Sequence, residues 1–151
     1  MACVSDLFLA IERRKPMKAV EQAIALANRG FEGCTHARHG GKRQLLIVDS
    51  EILSTFGLAP GILRENITTV GLNTAELKPE QRLMIGSAVL EVTIPCEPCS
   101  RMNEIRKGLR EALQHRRGVL CRVIEGGQIS RGDAIEVRES AKAIPIVGGT
   151  R

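Results

Sequence analysis

Two cysteines separated by two residues, Cys96 and Cys99, are the strongest chemical signal in the sequence. They lie in the run Pro-Cys-Glu-Pro-Cys-Ser, between a strand-like segment that ends near Ile94 and a helical pattern that begins near Arg101. A thiol at the start of a helix is close to free backbone N–H groups and to the positive end of the helix dipole, and both favour thiolate. Thiolate is the form that attacks electrophiles and binds metals. We therefore expect Cys99 to be the reactive thiolate and Cys96 to be its supporting or resolving partner.

Zinc binding is an alternative use of the same thiols. Four side chains provide the nitrogen and sulfur ligands that zinc prefers, namely Cys34, His36, Cys96 and Cys99. A Pro-Cys-x-x-Cys run also occurs in zinc deaminases, but those enzymes need a His-x-Glu upstream, and His36 is followed by alanine and arginine. Deaminase chemistry is therefore excluded, and a structural zinc site stays as the alternative. Cys3 and Cys121 lie in strand-like segments, where we expect core thiols.

Two further segments carry polar side chains suited to an anion. Residues 36–44 read His-Ala-Arg-His-Gly-Gly-Lys-Arg-Gln, so backbone N–H groups and arginine forks can approach a phosphate. The spacing is not that of a P-loop, and a solvated surface loop is the other interpretation. The triplet Arg-Glu-Asn at 64–66 leads into a β-branched strand, and it is a cap or a rim unless the fold gathers it beside the other segments.

The net charge of +5 also favours an anionic partner. The chain has three Phe and neither Trp nor Tyr, so it lacks the aromatic platforms of single-strand nucleic-acid binders, and no DNA-binding motif is present. No apolar run approaches the roughly 20 residues of a membrane span, and the N-terminus lacks the order of a signal peptide. Five cysteines, an odd number, indicate a reducing compartment. We therefore expect a cytoplasmic protein with a small phosphorylated ligand, without nucleic acid or membrane.

Short strands separated by glycine turns dominate the rest of the pattern. We predict strands over residues 4–11, 45–48, 67–70, 82–85, 88–94 and 133–137, with a hairpin turn at Gly86-Ser87 and a second hairpin formed by 119–124 and 128–129. Helices are predicted over 49–56 and, from an apolar stripe, over about 102–113, while 20–27 is either helix or strand. The sequence therefore predicts a mainly β protein with a few helices (α+β), a closed or nearly closed β-barrel. We expect one domain over 1–140 and a loose tail over 141–151.

Taken together, these segments resemble one known family over nearly the whole chain. The matching residues are 30–33 leading to His36, 43–49, 58–61, 64–69, Gly86, 96–102, 117–118 and 132–133. Their order and spacing are similar to those of the MOSC family, named for the C-terminal domain of molybdenum-cofactor sulfurases. The chain resembles the short, stand-alone bacterial members.

The resemblance implies a barrel that holds the molybdenum cofactor, a pterin dithiolene with a phosphate tail. In relatives that reduce N-hydroxylated compounds, the cysteine matching Cys99 ligates molybdenum, and the residues matching Arg64 and Asn66 contact the cofactor. Lys42 or Arg43 would then meet the phosphate. The other residues expected at this site are Gln44, His36 and Cys96.

One departure from the family concerns Cys34 and Thr35, which stand where many members have aspartate and arginine. The role of that acid cannot be transferred to this chain. The function predicted is an oxidoreductase that reduces N-hydroxylated bases or amidoximes with electrons from a separate protein, because no nicotinamide or flavin fingerprint is present. The alternative is a carrier that delivers the cofactor, or sulfur on Cys99, together with a cofactor-biosynthesis protein. The sequence leaves the exact substrate, the redox partner and the oligomeric state open.

Overall fold

Alternating apolar residues and glycine turns produce a structure made mostly of short strands. The computed structural model describes residues 1–35, 37 and 39–140. Its strands are β1 (Cys3–Leu9), β2 (Lys18–Val20), β3 (Gln22–Leu26), β4 (Gly30–Phe31), β5 (Leu45–Asp49), β6 (Ile67–Val70), β7 (Arg82–Ile85), β8 (Ala88–Pro95), β9 (Val119–Glu125), β10 (Gly127–Ser130) and β11 (Ile135–Arg138). Its α-helices are α1 (Ser50–Thr55), α2 (Arg101–Ile105) and α3 (Leu109–Ala112), and a 3-10 turn covers Thr74–Glu76.

Eight of these strands form one curled sheet in the order β11-β7-β8-β9-β5-β6-β1-β2. Neighbours are antiparallel except β5 and β6, which are parallel. A bridge between Cys3 on β1 and Ala134, just before β11, brings distant parts of the sheet together at one point. The remaining strands form a smaller sheet in the order β10-β3-β4. The prediction of a mainly β protein with a few helices is confirmed, but the barrel expected to be closed or nearly closed is an open, curled half-barrel.

Strand β5 separates the two hydrophobic clusters of the molecule. Leu45 and Ile47 belong to the cluster inside the curled sheet, which also contains Phe31 and Leu90. The alternate residues of β5 belong to a second cluster beneath the helices, with members Leu46, Val48, Leu53, Leu63, Cys96, Met102, Leu109, Leu113 and Leu120. All five residues of β5 are therefore buried, as expected for a strand covered on both faces.

The helix predicted over 102–113 is two short helices. Arg106 leaves the helical conformation with φ −158° and ψ 133°, and Gly108 has a left-handed φ of 84° just before α3. Glycine takes this conformation without a steric penalty, so it breaks the helix where the apolar stripe alone predicts continuity. The stripe itself is preserved, because Met102, Leu109 and Leu113 pack in the same cluster.

The predicted hairpin over 119–129 is wrong in its pairing. Strand β9 already has β5 on one edge and β8 on the other, so neither edge is open to β10. Strand β10 instead pairs antiparallel with β3, with Gln128 opposite Ile24. The ambiguous segment 20–27 is therefore resolved as strand. The hairpin at Gly86-Ser87 is confirmed by the pairing of β7 with β8.

Two findings concern properties predicted for the whole chain. All five cysteines, which lie in the described part of the structure, are free thiols. Within the same residues, no helix combines the length and apolarity needed to cross a bilayer. The tail predicted over 141–151 lies outside the described residues.

Candidate functional site

A cavity of about 720 Å³ lies at the end of β8, between residues 14–17, the turn at 59–64 and helix α2. Its walls contain six of the residues predicted for the site, which are Arg43, Gln44, Arg64, Asn66, Cys96 and Cys99. Apolar side chains provide much of the remaining wall, including Phe8, Leu46, Met102 and Leu120. Segments distant in the sequence therefore meet at one concave surface of a size typical for small-molecule sites.

The two cysteines of the pair differ in environment. Cys96, at the end of β8, is 6% exposed, and its Sγ accepts a hydrogen bond from Nη1 of Arg117 at 3.3 Å. Burial raises the pKa of the Cys96 thiol, although the charges of Arg117 and Arg43 act in the opposite direction. Cys99 is half-buried and lines the cavity. Cys99 is therefore the accessible thiol of the pair.

The charge around Cys99 comes from side chains more than from a helix dipole. Helix α2 has five residues, and Ser100 occupies its N-cap position without a side-chain capping hydrogen bond. A single turn carries a small dipole, so the helix-terminus argument for a thiolate is weaker than the sequence predicts. Six cationic side chains line the cavity instead: Arg14, Lys15, Arg43, Arg64, Arg101 and Arg117. These charges favour an anionic ligand in the cavity.

Arg64 is held in this wall at a conformational cost. Its φ of 65° lies in the left-handed region, which arginine rarely adopts. Burial lowers the pKa of the Arg64 guanidinium, and the neighbouring charge of Arg101 lowers it further. Its Nη1 donates to the carbonyl of Lys15. Arg14, in the same wall, also has a left-handed φ of 61°. Strained backbone of this kind is concentrated at binding sites in proteins.

A second cavity, of about 550 Å³, adjoins the first. Both have walls formed in part by the same four arginines, Arg14, Arg43, Arg64 and Arg101. Of the described residues, Arg13, Thr35, Gly41 and Lys42 also line the second cavity. Lys42 therefore lines the second cavity and not the one beside Cys99, whereas Arg43 lines both.

Asn66 and Gln44 are buried and bonded to the fold as well as lining the first cavity. Oδ1 of Asn66 accepts from the backbone N–H of Leu46 at 3.0 Å, and its Nδ2 donates to the carbonyl of Phe8 at 3.3 Å. Oε1 of Gln44 accepts from the backbone N–H of Val123 at 2.9 Å. Both amides thus join neighbouring strands, and the ligand contacts predicted for them stay predictions.

The four candidate zinc ligands do not form one described cluster. Sγ of Cys34 accepts from the backbone N–H of Ala10 and from Nδ2 of Asn66, each at 3.4 Å. Cys34 belongs to the cluster inside the sheet, while Cys96 and Cys99 pack beneath the helices. Among the described residues, no three His, Cys, Asp or Glu side chains are placed to hold a metal ion together. His36, also predicted at the site, lies outside the described residues.

Four cationic residues of the cavity were not predicted as ligand contacts, namely Arg14, Lys15, Arg101 and Arg117. Arg117 binds the carbonyls of Leu63 and Glu97 through Nη2 and Nη1, and its buried Nε has no hydrogen-bond partner in the described structure. The segment 117–118 was noted for its resemblance alone. Arg14 and Lys15 belong to the basic run 13–15, which is the only feature of the sequence that could have indicated their place in the site. The fold brings this run beside Arg64.

The donor set of the first cavity fits an anionic cofactor that is held through a thiol. Cys99 offers an accessible sulfur, and the cations outnumber Glu104, the one carboxylate in the described wall. Glu104 is itself 3.6 Å from Arg14. The unpartnered Nε of Arg117 is a buried donor in the same wall. A soft ligand beside a cluster of phosphate-binding groups is what a metal–dithiolene cofactor with a phosphate requires.

Comparison with known proteins supports this architecture. The YuaD protein from Bacillus subtilis superposes with a TM-score of 0.75 at 21% identity, over 92% of this chain and 97% of that one. YiiM from Geobacillus stearothermophilus gives a TM-score of 0.73 at 18% identity, over 92% and 76%. YiiM from Escherichia coli gives 0.69 at 20%, over 92% and 71%.

At these identities the solved structures establish the fold alone. A search of curated proteins gives no match. Residues 35–136 match the family model described as MOSC domain, which covers more than half of the chain. The chain therefore belongs to the MOSC domain family.

Proposed function

We propose that this chain binds a molybdenum cofactor in the cavity beside Cys99 and reduces N-hydroxylated compounds with it. The MOSC domain family is associated with the molybdenum cofactor. The observation that carries the proposal is the accessible Cys99 thiol in a wall that also holds six cationic side chains. A thiolate supplies the metal ligand, and the cations supply the contacts for the cofactor's negative charge.

Each group in the wall has a distinct task in this proposal. Cys99 is the molybdenum ligand, and Arg64 and Asn66 contact the pterin. Arg43 and Lys15 meet the phosphate, since both line the first cavity. When bound, the cofactor supplies two-electron chemistry that takes oxygen from nitrogen.

The remaining residues of the wall position these groups and keep water away. Arg117 donates hydrogen bonds to Sγ of Cys96 and to the carbonyl of Leu63 in the turn at 59–64. The segment carrying Cys99 is therefore fixed to the turn that carries Arg64. Phe8, Leu46 and Met102 are nearly fully buried and form part of the apolar wall of the cavity. Exclusion of water strengthens the attraction between the arginines and bound anions.

Catalysis in this protein proceeds without the carboxylate that many family members have before the site histidine. Cys34 replaces it, and its sulfur is engaged with Ala10 and Asn66. Electrons come from a separate donor protein in the cytoplasm, because no dinucleotide fingerprint is found in the sequence.

Turnover tests this proposal against the carrier alternative. Protein produced in a host that makes the cofactor is given a chemical reductant and benzamidoxime, and benzamidine is measured by chromatography. We expect benzamidine formation that is lost in Cys99→Ala and retained in Cys3→Ser, since Cys3 lines neither cavity. A protein that holds molybdenum but forms no product with several N-hydroxylated compounds would instead be a carrier.

A further inference from the structure

The second cavity has a composition that the proposed cofactor site does not explain. Its described walls contain six cationic side chains, Arg13, Arg14, Lys42, Arg43, Arg64 and Arg101, together with Thr35 and Gly41. They contain no carboxylate and no large apolar residue in that part of the chain. The first cavity, by contrast, is lined extensively by apolar side chains.

Most of these cations have no acidic partner in residues 1–35, 37 and 39–140. Among the described residues, Arg14 is the one member of the set with a carboxylate within 4.0 Å, and that partner, Glu104, lines the first cavity. Within the part of the chain that the structure describes, Arg13, Lys42 and Arg101 make no side-chain hydrogen bond or ion pair. Surface arginines are usually dispersed or paired, because uncompensated charges repel one another.

At the wall that the two cavities share, Arg64 and Arg101 are close enough for their charges to interact. The charge of Arg101 lowers the pKa of Arg64, after the larger effect of burial. Arg64 and Arg14 also have left-handed backbone conformations, with φ of 65° and 61°. A fold that maintains close cations on strained backbone gains stability when an anion binds between them.

We infer that the second cavity binds the phosphate group of a small phosphorylated molecule, in addition to the ligand that Cys99 contacts. Arginine forks and a lysine bind phosphate oxygens, and a phosphate monoester carries a charge of about −1.5 to −2 at neutral pH. Thr35 and the backbone N–H of Gly41 add neutral donors. Because the described residues of the second cavity include no large apolar side chain, this cavity suits the phosphate of the ligand and not an aromatic ring.

Two sources can supply this phosphate, and they differ in where the rest of the molecule lies. A phosphorylated N-hydroxylated substrate places its reducible group in the first cavity and its phosphate in the second, across the shared arginines; this source rests on the proposed function. A free phosphate or diphosphate occupies the second cavity alone, and its binding is independent of any molybdenum chemistry.

Calorimetric titration of the cofactor-free full chain with inorganic pyrophosphate tests the site itself. We expect binding whose affinity falls at least tenfold in Arg13→Ala/Lys42→Ala, since both residues line the second cavity and not the first. Unchanged affinity in that variant would place the pyrophosphate in the first cavity and overturn the inference. The matched control Lys107→Ala/Arg110→Ala removes the same charge outside both cavities and is expected to stay within twofold of wild type. Absence of binding to the wild type would overturn the inference. An equal loss in the control would overturn it too, since net charge and not the cavity would then explain binding.

Steady-state kinetics of the loaded protein distinguish the two sources. Benzamidoxime is compared with its 4-phosphate ester. A phosphorylated substrate predicts a KM at least tenfold lower for the ester in wild type and no preference in Arg13→Ala/Lys42→Ala. Equal KM values with pyrophosphate binding intact support a free phosphate as the occupant. Because the titration needs no cofactor, it separates failure of this site from failure of the proposed function.

Discussion

Arg117 donates one hydrogen bond from Nη1 to Sγ of Cys96 at 3.3 Å and another from Nη2 to the carbonyl of Leu63 at 3.1 Å. This guanidinium joins the end of β8 to the turn that carries Arg64. It also engages the buried sulfur of the cysteine pair. The other sulfur, that of Cys99, is left in the cavity wall.

The difference between the two thiols predicts selective alkylation. In native protein treated with iodoacetamide at pH 7.5, Cys99 is expected to react at least about tenfold faster than Cys96, which is buried and whose pKa burial raises. Peptide mass spectrometry at timed intervals measures both rates. In urea the two rates should converge. Faster modification of Cys96 in the native state would contradict the assignment.

Glu65 gives stability a predictable pH dependence. Burial raises the pKa of this carboxyl, although hydrogen bonds from Gly61 and Thr68 oppose the rise. The folded state therefore keeps the proton at pH values where the unfolded chain has lost it. From about pH 4.3, the ordinary value for glutamate, up to the raised folded pKa, the Glu65 contribution to the free energy of unfolding falls as pH rises; above that it is level.

Urea unfolding between pH 4.5 and 8 measures this effect. Glu65→Gln should gain stability relative to wild type as pH rises through the window, by about 1.4 kcal/mol for each pKa unit of the shift. The exposed Glu111, changed to Gln, should show a difference from wild type that does not vary with pH. If the difference in unfolding free energy between Glu65→Gln and wild type were also independent of pH, the raised pKa of the buried Glu65 carboxyl would be refuted.

Substitutions of Asn66 and Arg64 should have different effects, the first mainly on the free energy of unfolding and the second mainly on pyrophosphate affinity. Asn66→Ala leaves the backbone N–H of Leu46 and the carbonyl of Phe8 without their partners, so we expect a loss of about 3 kcal/mol. Arg64→Gly relieves a left-handed φ and should stay within about 1 kcal/mol of wild type while pyrophosphate affinity falls. Urea unfolding and calorimetry measure the two effects. A large destabilisation by Arg64→Gly would mean that this residue acts mainly in the fold.

Gly118, the residue after Arg117, lies directly against the backbone of β5. A Cβ at this position would collide with the carbonyl of Ile47 and lie 2.9 Å from Cγ2 of Val48, and φ is 91°. Gly118→Ala is therefore expected to cost about 3 kcal/mol or more, through both overlap and backbone strain. Gly132 has a similar φ of 89° with nothing near its Cβ position, so Gly132→Ala should cost about 1 kcal/mol. Equal costs in thermal unfolding would show that strain alone matters.

Much of the strand pattern was predictable, because alternation and β-branched runs act locally. The hairpin of β7 and β8 followed from Gly86-Ser87, and the burial of β5 followed from its continuous apolar run. The pairing of β10 with β3 was not predictable, since the edges of β9 are occupied by strands distant in sequence. The break at Gly108 required a left-handed φ that an apolar stripe does not report.

The site shows the same division between local and long-range information. Cys99 was identified from local spacing, and Arg43 and Arg64 from polar segments that the fold brings together. Arg14 and Lys15 carried only a basic run as signal, and their role depends on contact with the 59–64 turn. Lys42 was assigned to the same phosphate as Arg43, but Lys42 lines the second cavity and not the first, whereas Arg43 lines both.

Molybdenum content per chain, measured by elemental analysis after production in a cofactor-making host, tests the central claim most directly. Wild type, Cys96→Ser and Cys3→Ser should retain molybdenum, because serine at 96 still accepts from Arg117 and Cys3 lies outside both cavities. Cys99→Ser should lose it while keeping the unfolding free energy of the wild type. Molybdenum retained equally in Cys99→Ser would contradict the assignment of this sulfur as the metal ligand.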